Sequence, residues 1–237
     1  MRKHILIPTD FSDNAWSAAV YALKLYAEVE CTFYFLHAWS VSVNASRTYI
    51  TTTYVETVKE DALRQLLELK EMSEAADPNA KHSFEVILSK DYLQNAIDEA
   101  IEKHKIDLVV MGTKGASKTK EFFFGSNTVN RLKTKLCPTL VVPDEFNFVE
   151  PKQIAFPTDF NRFYGDEIEP LKQLSGLYNS KIRILHITKN SNLSSTQEYN
   201  LSMLKVYLEN HPHTFHWMPD YAKKTREIND FIDDLDI

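Results

Sequence analysis

The chain is poor in glycine and cysteine. Only 5 of its 237 residues are glycine, so a cluster of glycines marks a particular place in the fold. Its two cysteines, Cys31 and Cys137, are too few for a disulfide framework. Each stands where a strand is predicted to begin, so we expect buried structural thiols rather than reactive ones.

Long hydrophobic runs and an excess of basic residues are also missing. No run approaches the ~20 apolar residues of a membrane span, and the first four residues pass directly into a predicted strand, which excludes a signal peptide there. A net charge of −6 argues against a nucleic-acid partner. We therefore expect a cytoplasmic protein without a membrane or nucleic-acid partner. With 43% hydrophobic residues it can form one large domain or two modest ones.

Three of the five glycines, Gly112, Gly115 and Gly125, fall within one short segment. The apolar run Ile106–Met111 before it predicts a buried strand that ends on Gly112. Gly125 opens a predicted helix whose apolar spacing is Val129, Leu132 and Leu136. A strand, a glycine loop and a helix N-terminus together present backbone N–H groups to a phosphate. Glycine suits such a loop because it tolerates positive φ and allows close backbone approach.

The elements before and after this segment alternate between strand and helix. Strands are predicted at residues 4–8, 32–38, 84–88, 106–111 and 139–142. The first helix follows a cap at Ser12 or Asp13 and ends near Glu30, the second runs from about Tyr54 to Ala76, and the third follows a cap at Asp91. The alternation predicts a parallel sheet with helices on both faces.

Three blocks of the sequence resemble the universal stress protein family. They are Gly112-x2-Gly115-x9-Gly125-Ser126, Pro8-Thr9-Asp10-Phe11-Ser12, and Cys137 to Pro143. The resemblance implies an α/β, doubly wound five-stranded parallel sheet of order 3-2-1-4-5, of the nucleotide alpha-hydrolase-like or Rossmann-like type. Asp10 and Gly112 would then follow neighbouring strands at the topological switch point, where open α/β sheets bind ligands.

The resemblance also implies a ligand and its binding residues. The ligand is ATP, with Mg²⁺ or Mn²⁺ carried by the phosphates, and no catalytic residue or protein metal site is expected. The expected binding residues are Pro8, Thr9, Asp10, Ala38, Met111, Gly112, Gly115, Gly125, Ser126 and Asn127. Two alternatives stay open from the residues themselves. Asp10 could serve only to cap a helix, and Lys114, Lys118 and Lys120 could be either phosphate partners or solvated loop residues.

The segment around Pro8 and Asp10 recurs later in the chain. Residues Ile154–Phe160 repeat Ile5–Phe11 at an offset of 149, and Leu185-His186 repeats Leu36-His37 at the same offset. Such a repeat predicts two copies of one fold. We expect a complete domain at 1–146 and a second copy at 152–237 that lacks the counterparts of strands 4 and 5 and of the glycine loop. Asp159, the counterpart of Asp10, is expected to be structural.

The leading functional hypothesis is a stress-response regulator whose conformation or partner choice depends on bound ATP. The alternatives are a nucleotide-free dimeric scaffold and a slow ATP hydrolase. The resemblance also implies a homodimer formed through the fifth strand, Thr139 to Val142, because an apolar edge strand normally pairs or is covered.

Overall fold

The computed structural model describes residues 2–39, 52–113, 125–134, 136–144, 147–189, 192–220, 223–235 and 237. The chain divides into two compact units, Met1–Phe148 and Val149–Ile237. Each unit contains its own parallel sheet.

The first unit alternates strands and helices throughout. Its elements are β1 (Lys3–Pro8), α1 (Asp13–Leu25), β2 (Cys31–Ala38), α2 (Thr52–Ala76), β3 (His82–Ser89), α3 (Leu93–His104), β4 (Leu108–Gly112), α4 (Ser126–Lys133) and β5 (Thr139–Val142). The strand order is β3-β2-β1-β4-β5 and every pairing is parallel. The predicted order 3-2-1-4-5 is therefore confirmed.

Two apolar layers cover the sheet of the first unit, one on each face. Successive side chains of a strand point to opposite faces, so Ile5 and Ile7 pack with α1 and α2 while Leu6 packs with α3. Six of the eight residues of β2 are buried, as its almost wholly apolar sequence predicts for a strand covered on both sides.

The second unit has a sheet of three strands. Its elements are β6 (Gln153–Pro157), a 3₁₀ turn (Gly165–Ile168), α5 (Glu169–Tyr178), β7 (Lys181–Thr188), α6 (Ser195–Tyr207), β8 (His213–Pro219) and α7 (Lys224–Leu235). The order is β6-β7-β8, so the strand that repeats β1 lies at an edge among the described residues. Ile5 to Ile7 are at most 1% exposed, whereas their counterparts Ile154 to Phe156 are only half-buried.

Several predicted element ends were wrong. The first helix ends at Leu25 rather than near Glu30, because the next residues form a turn in which the Val29 N–H donates to the Tyr26 carbonyl. The cap of α1 is Ser12, one of the two predicted candidates. Asp91 does not cap α3: the capping position is Tyr92, and Asp91 accepts from the Tyr92 N–H instead.

No helix in the described ranges combines the length and the apolar character that crossing a membrane requires. Both cysteines are free and buried, as expected. Burial raises the pKa of the Cys31 thiol to about 12 and that of Cys137 to about 11. Because the thiolate is the nucleophile, neither residue is suited to covalent chemistry at neutral pH.

We predict that neither thiol reacts with Ellman's reagent in the folded protein at pH 8. A raised pKa keeps the thiol protonated below that pKa, so the thiolate fraction is roughly one in ten thousand for Cys31 and roughly one in a thousand for Cys137. The same reagent in denaturant should titrate both. Rapid reaction of the native protein would contradict the burial of these side chains.

Candidate functional site

The end of β1 and the tight turn after it carry three of the predicted site residues. Pro8 and Thr9 are buried, and Asp10 is exposed. The Thr9 N–H donates to the Leu36 carbonyl at 2.8 Å, which ties the turn to β2. The Phe11 N–H donates to Thr9 Oγ1 at 2.9 Å, with Phe11 at φ 62°. A bulky residue seldom adopts this left-handed conformation, so the surrounding bonds hold a strained turn.

The Asp10 carboxylate takes part in capping α1. Its Oδ1 accepts from the Ser12 N–H at 3.1 Å and from the Ser12 hydroxyl at 2.5 Å. The Ser12 hydroxyl oxygen in turn accepts from the Ala15 N–H at 3.3 Å. Both of these bonds to Asp10 use Oδ1, and Oδ2 is used by neither. The cap of α1 is Ser12 itself, and Asp10 supports that cap through one carboxylate oxygen without capping the helix directly.

The end of β2 lies next to this turn. Ala38 is half-buried, Trp39 is buried, and the Trp39 N–H donates to the Ser89 carbonyl at 2.9 Å. This backbone donor is therefore engaged within the sheet. Lys90 Nζ lies 5.8 Å from the Trp39 ring centroid, which places a cation over the indole.

The end of β4 packs closely against the start of α1. Met111 is buried, and a Cβ added to Gly112 would lie 2.4 Å from Oδ1 of Asn14. Asn14 is itself buried in the first turn of α1. A side chain at position 112 would therefore have to displace the buried amide group of Asn14, and the φ of Gly112 lies outside the left-handed range.

The helix α4 begins directly beside Gly112. Gly125 is its capping residue at φ −58°, so the positive φ that the sequence argument allowed is not used there. The Gly125 N–H donates to the Thr113 carbonyl at 2.7 Å. Thr128 Oγ1 donates to the Gly112 carbonyl at 3.1 Å. Ser126 and Asn127 lie exposed in the first turn, where helix geometry leaves N–H groups without intrahelical acceptors.

The predicted apolar face of α4 was wrong. Leu132 is 47% exposed, and Leu136 lies beyond the helix and is 60% exposed. The buried residues of α4 are Thr128 and Arg131 instead. Spacing alone favoured the leucines because it cannot show that the buried side chains of this helix are a threonine and the arginine of an ion pair.

The structure thus brings the predicted residues of β1 and β4 and the first turn of α4 to one edge of the sheet. Gly115 and the three lysines Lys114, Lys118 and Lys120 lie outside the described residues. Sequence reasoning missed Asn14, Thr128 and Arg131. Of these three, only Asn14 could have been suspected from the sequence, because it lies in the first turn of the helix that follows the repeated segment Ile5–Phe11.

The second unit repeats the turn after β1 with one difference. The Phe160 N–H donates to Thr158 Oγ1 at 3.1 Å, and Phe160 has φ 56°. Asp159, however, uses both oxygens, accepting from the N–H and the side-chain amide of Asn161 at 3.0 and 2.8 Å. The backbone N–H of Asn161 lowers the pKa of this carboxyl. Asp159 is engaged in its own turn to a greater degree than Asp10.

Comparison with known proteins identifies the family. The sequence model of the universal stress protein family matches residues 1–143, which is more than half of the chain. The chain is 32% identical over 142 residues to Universal stress protein MJ0531 of Methanocaldococcus jannaschii, covering 59% of this chain and 81% of that protein. The chain belongs to the universal stress protein family.

Two solved structures share the fold over almost the whole chain. A universal stress protein from Archaeoglobus fulgidus DSM 4304 matches with a TM-score of 0.71 at 18% identity, covering 98% of this chain and 84% of the other. The protein PA1789 from Pseudomonas aeruginosa PAO1, described as functionally unknown, matches with a TM-score of 0.59 at 15% identity, covering 99% and 79%. Both likenesses concern the fold.

We predict that Gly112→Ala destabilises the protein by about 1 to 3 kcal/mol, because the new methyl group overpacks against the buried Asn14. The measurement is the midpoint of urea unfolding followed by circular dichroism. Gly176→Ala is the matched control. Nothing lies within 4 Å of a Cβ at Gly176, which is inside α5, so alanine there should stabilise by about 0.5 to 1 kcal/mol. Equal effects of the two changes would contradict the close contact at Gly112.

Proposed function

We propose that the first unit binds one ATP molecule per chain where β1 and β4 end, and that the chain is an ATP-binding regulator. The observation that carries the proposal is the meeting of three features at one sheet edge. β1 and β4 are neighbours, Asp10 follows the first, Gly112 ends the second, and the first turn of α4 is bonded to Gly112. In open α/β sheets, ligands bind at such a switch point.

The first turn of α4 suits the phosphates. N–H groups at a helix N-terminus and the positive end of the helix dipole both favour an anion. Ser126 and Asn127 are exposed and add polar side chains there. The Gly125 N–H already donates to Thr113, so the donors proposed for phosphate are those of Ser126 and Asn127.

The turn after β1 suits the adenosine part of the ligand. Asp10 is exposed, and its Oδ2 takes part in neither bond with Ser12, so it is proposed to accept from a ribose hydroxyl. The backbone at Thr9 and Ala38 borders the same edge. A divalent cation bound with ATP, Mg²⁺ or Mn²⁺, would be held by the phosphate oxygens and would neutralise part of their charge.

The two alternatives differ from this proposal in what they require. A dimeric scaffold without nucleotide would not need the exposed polar residues Ser126 and Asn127 in the first turn of a helix at the switch point. Fast hydrolysis would need a positioned general base, and Asp10, the one carboxylate among the proposed site residues, already accepts two hydrogen bonds from Ser12. Binding with at most slow hydrolysis is therefore favoured over both.

We predict that protein purified without added nucleotide releases ATP on denaturation, at up to one molecule per chain by mass spectrometry.

Gly125→Val should abolish binding of added ATP in calorimetry, because a branched side chain at the cap blocks approach of the phosphates to the backbone. Gly176→Val is the matched control in the second unit and should bind as wild type. Wild-type affinity in Gly125→Val would show that the site is wrongly assigned. Hydrolysis of many ATP molecules per second by the wild-type protein would favour the ATP hydrolase instead.

We also propose that two chains associate through β5. In the described residues β5 pairs with β4 alone, and Thr139, Leu140 and Val141 are half-buried. An apolar edge of this kind favours pairing with another strand. The family resemblance points to a second copy of the chain as the partner.

We predict a dimer in sedimentation velocity at low micromolar concentration, which Val141→Lys converts to monomer by placing a charge on the edge. Val206→Lys is the control, because Val206 is 63% exposed on α6 of the second unit, and it should leave the dimer intact. A wild-type monomer at this concentration, or a Val141→Lys dimer, would contradict pairing through β5.

A further inference from the structure

The helix α4 docks through polar groups. Of its eight residues, the buried ones are Thr128 at 4% exposure and Arg131 at 0%. They lie three positions apart and so share one face of the helix. A helix this short is not stable alone, so its position depends on tertiary contacts. The buried side chains that make such contacts on α4 are a hydroxyl and a guanidinium.

The guanidinium of Arg131 is attached to α3 by one carboxylate. Arg131 Nη1 donates to Asp98 Oδ1 at 2.7 Å, and the Asp98 side chain is 36% exposed. Nε and Nη2 of Arg131 are buried and have no hydrogen-bond partner in the part of the chain that the structure describes. A buried ion pair is seldom stabilising overall, and an apolar replacement is often as stable. General stability is therefore a poor explanation for this arginine.

The ion pair lies one helical turn from the proposed phosphate donors. Asn127 and Arg131 are four residues apart, about 6 Å along the helix axis. The Asn127 carbonyl accepts from Gln94 Nε2 of α3 at 3.0 Å, and Thr128 is bonded to Gly112. With Thr128 bonded to β4, the attachments at Asn127 and Arg131 determine the tilt and rotation of α4 against α3. The direction of the first-turn N–H groups follows from that orientation.

We propose that Arg131 and Asp98 are positioning residues that orient the N-terminus of α4 toward the phosphates. This inference rests on the proposed function, since it concerns the affinity of the same site for the charged part of ATP. It assigns no ligand contact to either residue. Loss of the pair should weaken phosphate binding and leave adenosine binding unchanged, because Asp10 and the ends of β1 and β2 do not contact α4 through this pair.

The test compares ligands that differ in their phosphates. In calorimetry, Arg131→Met should weaken ATP binding by about tenfold, the lower end of what loss of a residue that supports a binding site costs, while adenosine affinity stays within about twofold. Asp98→Asn, a milder change, should act in the same direction. The double variant should bind ATP as Arg131→Met does, because Asp98 acts through Arg131. Lys133→Met removes the same charge from an exposed position of the same last turn and is the control, expected to bind both ligands as wild type.

Hydrogen exchange of the ligand-free variants gives a readout that does not depend on ATP. Backbone amides of α4 from Val129 to Lys133, which have acceptors within the helix, should exchange at least about tenfold faster in Arg131→Met, while amides of α1 stay within about twofold. Three results with Arg131→Met would each overturn the inference. They are an equal loss of affinity for ATP and adenosine, an ATP affinity equal to that of the wild type, and an exchange rate that changes equally in α4 and α1. A wild-type protein that binds neither ligand would overturn the proposed function and the phosphate part of this inference. The exchange data would then decide the positioning part alone.

Discussion

The pairing of β1 with β4 determines where the candidate site can form. Ile5 lies opposite Leu108 and Leu6 opposite Val109, so two segments about a hundred residues apart in the chain become neighbouring parallel strands. Their carboxyl ends meet at one edge, where α1 covers one face of the sheet and α4 is bonded to α3, which covers the other face. The close contact of Gly112 with Asn14 then brings the end of β4 against the first turn of α1, with no side chain at Gly112 to separate them.

The two units place the same short peptide in different surroundings. In both, a threonine hydroxyl accepts from the phenylalanine N–H, and a histidine ring nitrogen, His37 or His186, hydrogen-bonds the threonine carbonyl. The same turn, with the same bonds to the neighbouring strand, therefore forms in both units. What distinguishes the first unit is the strand beside β1 and the helix α4. Both bonds between Asp10 and Ser12 use Oδ1, whereas Asp159 accepts bonds from Asn161 with both carboxylate oxygens.

Much of this architecture could be predicted from the sequence. The five strands and their order followed from apolar runs and from the family resemblance, and the three-stranded second sheet agrees with the repeat. The docking of α4 could not be predicted, because helical spacing assigns the buried face to leucines, and only tertiary structure shows that Thr128 and Arg131 face the protein. The contact of Gly112 with Asn14 is likewise invisible in one sequence, since it depends on how α1 and β4 pack. The glycine motif marked the site without giving the physical reason for each glycine.

The scarcity of glycine allows a direct measurement of the central claim, that ATP binds at this edge of the first unit. Selective ¹⁵N-glycine labelling gives one amide signal for each of the five glycines: three belong to the segment 112–125 of the sequence, and two, Gly165 and Gly176, to the second unit. On titration with ATP, we expect the amide signals of Gly112 and Gly125 to shift in proportion to the fraction of sites that hold ATP, while those of Gly165 and Gly176 stay in place. Unchanged signals from Gly112 and Gly125 at saturating ATP, or shifts confined to Gly165 and Gly176, would contradict it.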